Sequence, residues 1–139
     1  ENIFSRLIKG TVKYSPDDNL TLGIRLDYKS AEPGMARGML LLQDLNYRFS
    51  KIPVSVWLRY CIFRTDNWDS RLYAYENDLL YSFSIPALSG EGSRSYIMIA
   101  WKASEFIDFR IKYGLTDLIP EDEAVKETQE FKMQLRMRF

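Results

Sequence analysis

The sequence predicts an all-β fold, namely an up-and-down antiparallel β-barrel of about eight strands. Three observations predict it: eight segments alternate apolar with polar residues, short turn-like links join them, and no stretch has a convincing helical periodicity. A period of two gives a strand one apolar and one polar face, and evenly spaced strands with short links form a meander. The 139 residues fit one domain, residues 1–139.

The first four strands are predicted at residues 4–14, 20–29, 39–49 and 54–63. The second of these alternates without a break, whereas Arg6 interrupts the apolar face of the first. The links between the strands are rich in proline, aspartate and asparagine, which favour turns. Most of the segments have about ten residues, the length of a tilted strand that crosses a bilayer.

The last four strands are predicted at residues 73–83, 96–102, 107–115 and 131–139. The fifth places aromatic residues on one face and acids on the other, and the seventh places apolar residues opposite charged ones. The eighth ends the chain and has the strictest alternation, because one face is wholly apolar and the other wholly polar. Its apolar face consists of Phe131, Met133, Leu135, Met137 and Phe139.

This terminal strand is the most informative part of the chain. A soluble protein rarely leaves such an edge at a free terminus. An outer-membrane β-barrel does so routinely, because its last strand closes the cylinder and its apolar face meets lipid. The same five apolar residues resemble the assembly signal that the barrel-insertion machinery recognises, so this machinery is an expected partner during assembly.

Alternation alone does not decide which face lies inside. A soluble barrel that binds a small lipophilic ligand has the same period with its apolar face inward. Three features favour lipid on the outside: the terminal strand, aromatic residues near many strand ends, and the strand length. The sequence therefore predicts a transmembrane barrel of the bacterial outer membrane, with the lipid bilayer as a partner. The soluble ligand-binding barrel is the alternative.

The polar face of such a barrel lines its lumen, where charged side chains are expected to pair or to face water. Glu76 and Asp78 share one face of the fifth strand, and Arg110 and Lys112 are their predicted partners. A packed salt-bridge network is the main interpretation, and a pore or binding site is the other. The predicted lumen-facing network consists of Arg25, Asp27, Arg59, Glu76, Asp78, Asp108, Arg110, Lys112, Lys132 and Arg136.

The composition argues against several other functions. With 19 basic and 19 acidic residues the net charge is zero, so nucleic acid is not an expected partner. The chain has no histidine, which removes Ser-His and Cys-His triads and histidine metal sites. We therefore expect no enzyme activity, cofactor or metal. Cys61 is interpreted as a buried core residue, and the acidic stretch 120–123 as a solvated loop.

Three stretches together resemble a known family: residues 69–78, 81–87 and 90–94. The combination is similar to the C-terminal region of large outer-membrane barrel proteins of Bacteroidota that carry a helix-hairpin-helix segment near their N-terminus. The resemblance covers roughly residues 54–139. It implies an outer-membrane β-barrel of undefined activity and supplies no catalytic residues.

Two architectures agree with these predictions. Eight strands can close alone around a side-chain-filled interior, or they form the last part of a wider barrel. Strand counting from the terminal strand places the tight turn 50–53 outside and 65–69 inside, which conflicts with the usual short-inside, long-outside rule. The expected function is a structural, pore-forming or envelope-assembly component, and other envelope proteins are further candidate partners.

Overall fold

The computed structural model describes residues 2–121 and 124–139, and it confirms an all-β antiparallel fold. Most of the described residues lie in long strands that pair with their neighbours along the chain. The strands are β1 (Phe4–Tyr14), β2 (Leu20–Glu32), β3 (Ala36–Arg48), β4 (Val54–Thr65), β5 (Leu72–Tyr73), β6 (Ala87–Leu88), β7 (Glu91–Lys102), β8 (Ile107–Leu118) and β9 (Lys126–Met137).

The main sheet has seven strands in the order β1-β2-β3-β4-β7-β8-β9 across the described residues. Its strands have 11 to 13 residues, so several exceed their predicted bounds. β1 and β9 form the two edges, and the sheet is not closed into a cylinder. The expectation that about eight strands of this chain close into a barrel is therefore wrong for the described residues.

The predicted fifth strand, residues 73–83, is the main error. These residues belong to a segment, here called the strap (residues 66–89), that leaves the sheet after β4 and returns before β7. It contains a 3-10 helix, Trp68–Ser70, and the two-stranded β5–β6 ribbon. Its direction reverses around Tyr81, whose φ of 64° lies in the left-handed region.

Strands β4 and β7 pair directly with each other, so the sheet is continuous although the strap separates them in sequence. The backbone N–H of Thr65 donates to the carbonyl oxygen of Gly90 at 2.8 Å, and the pairing continues to Val54 and Trp101. Gly90 has a φ of 90°, a conformation that glycine adopts at little cost. The strap is thus an excursion from one end of a continuous sheet.

The sheet has one apolar face and one polar face, and the strap lies over the polar face. A small apolar core fills part of the space between strap and sheet, where Leu72, Ala74 and Leu88 of the strap pack on the sheet. The sheet residues of this core are Leu40, Leu42, Cys61 and Phe63. The burial predicted for Cys61 is confirmed.

The corrected strand count changes which links share an end of the sheet. The strap, the turn 33–35 and the link from β8 to β9 now lie at one end, and the turns 15–19, 49–53 and 103–106 lie at the other. The turn 49–53 therefore no longer shares an end with the longest links, but the three-residue turn 33–35 does, so one short link still departs from the usual rule. Within the described residues no helix is long and apolar enough to cross a bilayer.

Candidate functional site: the contact between strap and polar face

Glu76 of the strap forms the centre of this contact. Alternation along the extended strap turns its side chain toward the sheet, where only 1% of the residue is exposed. Arg94 of β7 donates from Nη2 to Oε2 at 2.9 Å and from Nε to Oε1, and Lys112 of β8 donates to Oε2 at 3.0 Å. Burial would raise the pKa of Glu76, but the hydrogen bonds from Arg94 and Lys112 outweigh burial and hold the pKa below its usual value.

Asp78 is bound in a similar way, by a residue of the next strand of the sheet, β9. Its Oδ2 accepts from Nζ of Lys132 on β9 at 2.9 Å, and its Oδ1 accepts from the backbone N–H of Leu79 at 2.8 Å. Nζ of Lys112 lies 4.0 Å from Oδ1 of Asp78, between the two strap carboxylates. Burial would raise the pKa of Asp78, but these hydrogen bonds lower it overall. Both carboxylates are therefore held in the ionised form.

The sequence named one of the two partners correctly. Lys112, only 2% exposed, contacts both acids as predicted. Arg110 lies on the same face of β8 but pairs with neither acid in the described part of the chain. Arg94 binds Glu76 instead. It was missed because the sixth strand was predicted to begin at residue 96, which left Arg94 in a turn.

Side chains of β2 and β4 bind the backbone of the strap. Lys29 donates to the carbonyl oxygen of Arg71 at 3.2 Å, and Arg25 donates to that of Tyr73 at 3.0 Å. Arg59 donates to the carbonyl oxygen of Tyr75 at 2.5 Å. These bonds give strap carbonyl oxygens partners on β2 and β4 and so join the strap backbone to the sheet.

Most of the same cations also pair within the sheet. Arg25 donates from Nε to Asp27 at 2.8 Å, and Arg59 donates from Nη2 to Asp44 at 2.8 Å. Asp27 is completely buried. These pairs hold the guanidinium groups of Arg25 and Arg59 in a defined orientation toward the strap carbonyl oxygens, which favours a defined strap conformation.

Two neutral contacts secure the middle of the strap, next to its reversal around Tyr81. The amide of Gln134 on β9 accepts from the backbone N–H of Leu80 at 2.9 Å and donates to its carbonyl oxygen at 3.1 Å. The hydroxyl of buried Tyr96 accepts from the backbone N–H of Asn77 at 3.2 Å and from its Nδ2 at 3.3 Å. In the described residues every buried side-chain nitrogen and oxygen has a hydrogen-bond partner.

A second cluster lies near the opposite end of the sheet. Asp108 of β8 accepts from Arg136, and also from Arg138 at 3.2 Å. This cluster does not join the pairs formed by Glu76 and Asp78. The structure therefore gathers the sequence-predicted residues at one face of the sheet, which Glu76 and Asp78 reach from the strap. Asp108 and Arg136 form a separate ion-pair cluster, and in the described residues Arg110 belongs to neither group.

The chemistry of the contact is electrostatic. Each strap carboxylate is bound by cations, so neither is free to exchange a proton near neutral pH. Among residues 2–121 and 124–139 no group of three or more cysteine, aspartate or glutamate side chains could hold a metal ion. The stretch 120–123, predicted to be a solvated loop, lies partly outside the described residues, because these exclude Asp122 and Glu123.

The predicted assembly-signal residues share the opposite, apolar face of β9. Phe131, Met133 and Leu135 are exposed there and lie beside Tyr113, Ile111 and Phe109 of β8. Met137 is exposed on the same face, and Phe139 follows the end of the strand.

Comparison with known proteins gives no relative. No protein-family model, no curated protein and no solved structure matches the chain.

Proposed function

We propose that the chain forms part of the wall of an outer-membrane β-barrel, with its apolar face toward lipid and its polar face toward the lumen. One observation carries this proposal: large apolar side chains are exposed on one face of the sheet, whereas charged side chains are buried on the other face, beneath the strap. Ile24 and Met133 on the apolar face are 50% and 62% exposed, whereas Lys112 and Asp27 on the polar face are 2% and 0% exposed.

Energetics favour lipid as the cover of the apolar face. Apolar surface gains roughly 25 cal/mol per Å² when it leaves water, and soluble monomers rarely expose a large contiguous apolar patch. Here the exposed apolar residues extend across all seven strands of the described sheet, from Ile8 on β1 to Met137 on β9. A soluble barrel that binds a lipophilic ligand would need this face to line a closed cavity, and the face is open.

Strand length and link length also support the proposal. Strands of 11 to 13 residues cross a bilayer when they are tilted. Transmembrane barrels have short periplasmic turns and longer extracellular loops. The strap and the β8–β9 link, which are the two longest links, share one end of the sheet with the short turn 33–35, and we assign this end to the extracellular side.

The two open edges favour a wider barrel. Successive strands are antiparallel, so β1 and β9, the first and seventh strands of the described sheet, run in the same direction. Antiparallel closure therefore requires an odd number of additional strands between these edges. Such a barrel would have an even total strand number, and the resemblance to the large Bacteroidota barrels supports the proposal of a wider barrel.

The role we propose is structural or pore-forming, without catalytic chemistry. The strap is then a loop folded onto the inner wall, where it fills part of the lumen. The lipid bilayer and the barrel-insertion machinery are the proposed partners, and other envelope proteins are further candidates.

Two tryptophans on opposite faces provide a direct test. Trp101 lies on the apolar face between Val54 and Phe109, and Trp57 lies on the polar face. Two single-tryptophan variants, in which the other tryptophans are replaced by phenylalanine, are reconstituted in vesicles with brominated acyl chains. We expect strong quenching of Trp101 and weak quenching of Trp57.

The matched control is the same pair of variants in unbrominated vesicles. Stronger quenching of Trp57 than of Trp101 would contradict the proposed orientation. A chain that stays monodisperse without detergent would contradict the membrane assignment itself and would favour the soluble ligand-binding barrel.

A further inference from the structure

The strap binds the sheet as an anionic ligand would. Its oxygens meet a series of cationic side chains that cross the polar face from β2 to β9. Carbonyl oxygens of Arg71, Tyr73 and Tyr75 are bound on the β2 and β4 side, and the carboxylates of Glu76 and Asp78 are bound on β7, β8 and β9. The cationic track, as we call these donors, consists of Arg25, Lys29, Arg59, Arg94, Lys112 and Lys132.

The track has more positive charge than the sheet itself balances. Asp27 and Asp44 pair with Arg25 and Arg59, and Glu130 lies 3.0 Å from Lys132. Without the strap, six cations would therefore face these three carboxylates. Lys112 and Arg94 would lose both oxygens of Glu76. Neighbouring cations on a partly desolvated face bind a multivalent oxyanion favourably.

Removing the strap leaves the β4–β7 ladder intact, but it also removes the contacts of Asp66 with the backbone of Arg37 on β3. Its two ends meet where Thr65 accepts from the backbone N–H of Gly90 through Oγ1 at 2.7 Å and donates its own N–H to the Gly90 carbonyl oxygen at 2.8 Å. A two-residue turn could join β4 to β7 at this point. The ladder between these strands, from Val54 to Arg64, does not include any strap residue.

We propose that the cationic track is a binding site for a multivalent oxyanion, and that the strap is a built-in competitor that covers it. The proposal rests on the polar face being accessible to water, as the proposed function requires. The proposal names a class of ligand for the polar face of the barrel wall, which the proposed function does not specify.

The decisive experiment removes the competitor. Residues 66–89 are replaced by Asn-Gly, and the binding of inorganic triphosphate is measured by calorimetry in detergent micelles against the intact chain. We expect the strapless variant to bind triphosphate about tenfold or more tightly than the intact chain, because the six cations lose the strap oxygens and only three carboxylates of the sheet remain to balance them. Added salt should weaken this binding, and Lys112→Met in the strapless variant should abolish most of it.

Competition by a synthetic peptide of residues 66–89 is an independent test of the proposal. We expect it to displace triphosphate from the strapless variant, and the same peptide with Glu76→Gln and Asp78→Asn to do so about tenfold less well. Equal competition by the two peptides would overturn the proposal, since the carboxylates would then contribute nothing to binding.

A full-length variant keeps the proposal testable if the strapless chain does not fold. Glu76→Gln with Asp78→Asn loosens the strap, and Asp18→Asn with Glu105→Gln is the matched control, because it removes two acids that lie outside the track. Tighter triphosphate binding by the first variant alone supports the proposal. Equal binding by both variants and the intact chain overturns it. The tryptophan quenching experiment tests the membrane assignment separately. If Trp101 is still quenched more strongly than Trp57 in these proteins, the membrane assignment stands even when the oxyanion proposal fails.

Discussion

The strap and the terminal strand β9 have the same alternating sequence pattern but are attached to the molecule in different ways. β9 pairs with β8 through a continuous ladder from Lys126 to Met137. The strap has a two-residue ladder between β5 and β6, and side chains of the sheet bind its backbone and its acids. Alternation thus predicts an extended segment with one buried face. It does not predict which groups form hydrogen bonds with the backbone of that segment.

This difference separates the forces that hold the two regions. The strap depends on buried ion pairs, which are strongly weakened when one member is removed. β9 depends on backbone pairing and, in the proposed membrane setting, on lipid against its apolar face. Changes of charge should therefore affect the strap most, and changes of apolarity should affect β9 most.

The largest expected effect is in the strap. Glu76→Gln leaves Arg94 and Lys112 without their shared carboxylate, and we expect a loss of about 3–5 kcal/mol in the free energy that holds the strap. Limited proteolysis of the strap and denaturant unfolding in detergent measure this loss. Glu105→Gln, at an exposed turn, serves as control and should change neither. Resistance to proteolysis equal to the original chain would show that Glu76 does not secure the strap.

The next effect should appear in β9 when the protein is in lipid. Met133→Arg places a charge near the middle of the strand on the apolar face, which costs about 2–4 kcal/mol at the centre of a bilayer. The measurement is the unfolding free energy in vesicles. Lys132→Arg, at the neighbouring polar-face position and the same depth, is the control and should cost much less. Equal costs for the two variants would argue against lipid on the apolar face.

A smaller effect is expected from steric contact under the strap. A Cβ atom at Gly38 would lie 2.3 Å from the carbonyl oxygen of Ser70, so Gly38→Ala must displace the 3-10 helix. We expect a loss of about 1–3 kcal/mol, with increased proteolysis at residues 66–71. Gly34→Ala is the control, because a Cβ atom at Gly34 would have no neighbour within 4 Å. Unchanged proteolysis in Gly38→Ala would contradict the close approach.

Acid should release the strap without opening the sheet. The folded pKa values of Glu76 and Asp78 are lowered, so their contribution is complete at neutral pH and is lost as the pH falls below about 4. Trp68 fluorescence measured from pH 7 to pH 2 should report this release. The variant with Glu76→Gln and Asp78→Asn should show a much flatter profile. If both proteins show the same acid transition, groups other than Glu76 and Asp78 cause the release of the strap.

The smallest effect on stability is expected at the last residue. Phe139 is fully exposed and follows β9, so its deletion should leave the unfolding free energy within about 0.5 kcal/mol. If it belongs to the assembly signal, deletion should nevertheless slow insertion into outer-membrane vesicles by the purified insertion machinery. Phe139→Tyr is the matched control, because it keeps an aromatic ring at the same position. Normal insertion of the deletion variant would remove Phe139 from the signal.

Sequence by itself determined much of the fold. The strict alternation of β2 and β9 identified long strands with one apolar and one polar face, and short links identified an antiparallel meander. These features are local, because a period of two follows from the geometry of an extended backbone. The shared face of Arg25, Lys112 and Lys132 follows from the same rule.

Tertiary structure decided the role of residues 73–83 and the partners of the buried charges. The strap alternates like a strand, but whether an extended segment joins a sheet or lies across it depends on which backbone groups remain free nearby. β4 and β7 satisfy each other's backbone groups, so Glu76 enters the polar face from above and meets Arg94. Pairing between residues 18 positions apart depends on how the sheet brings strands together, and no local pattern contains that information.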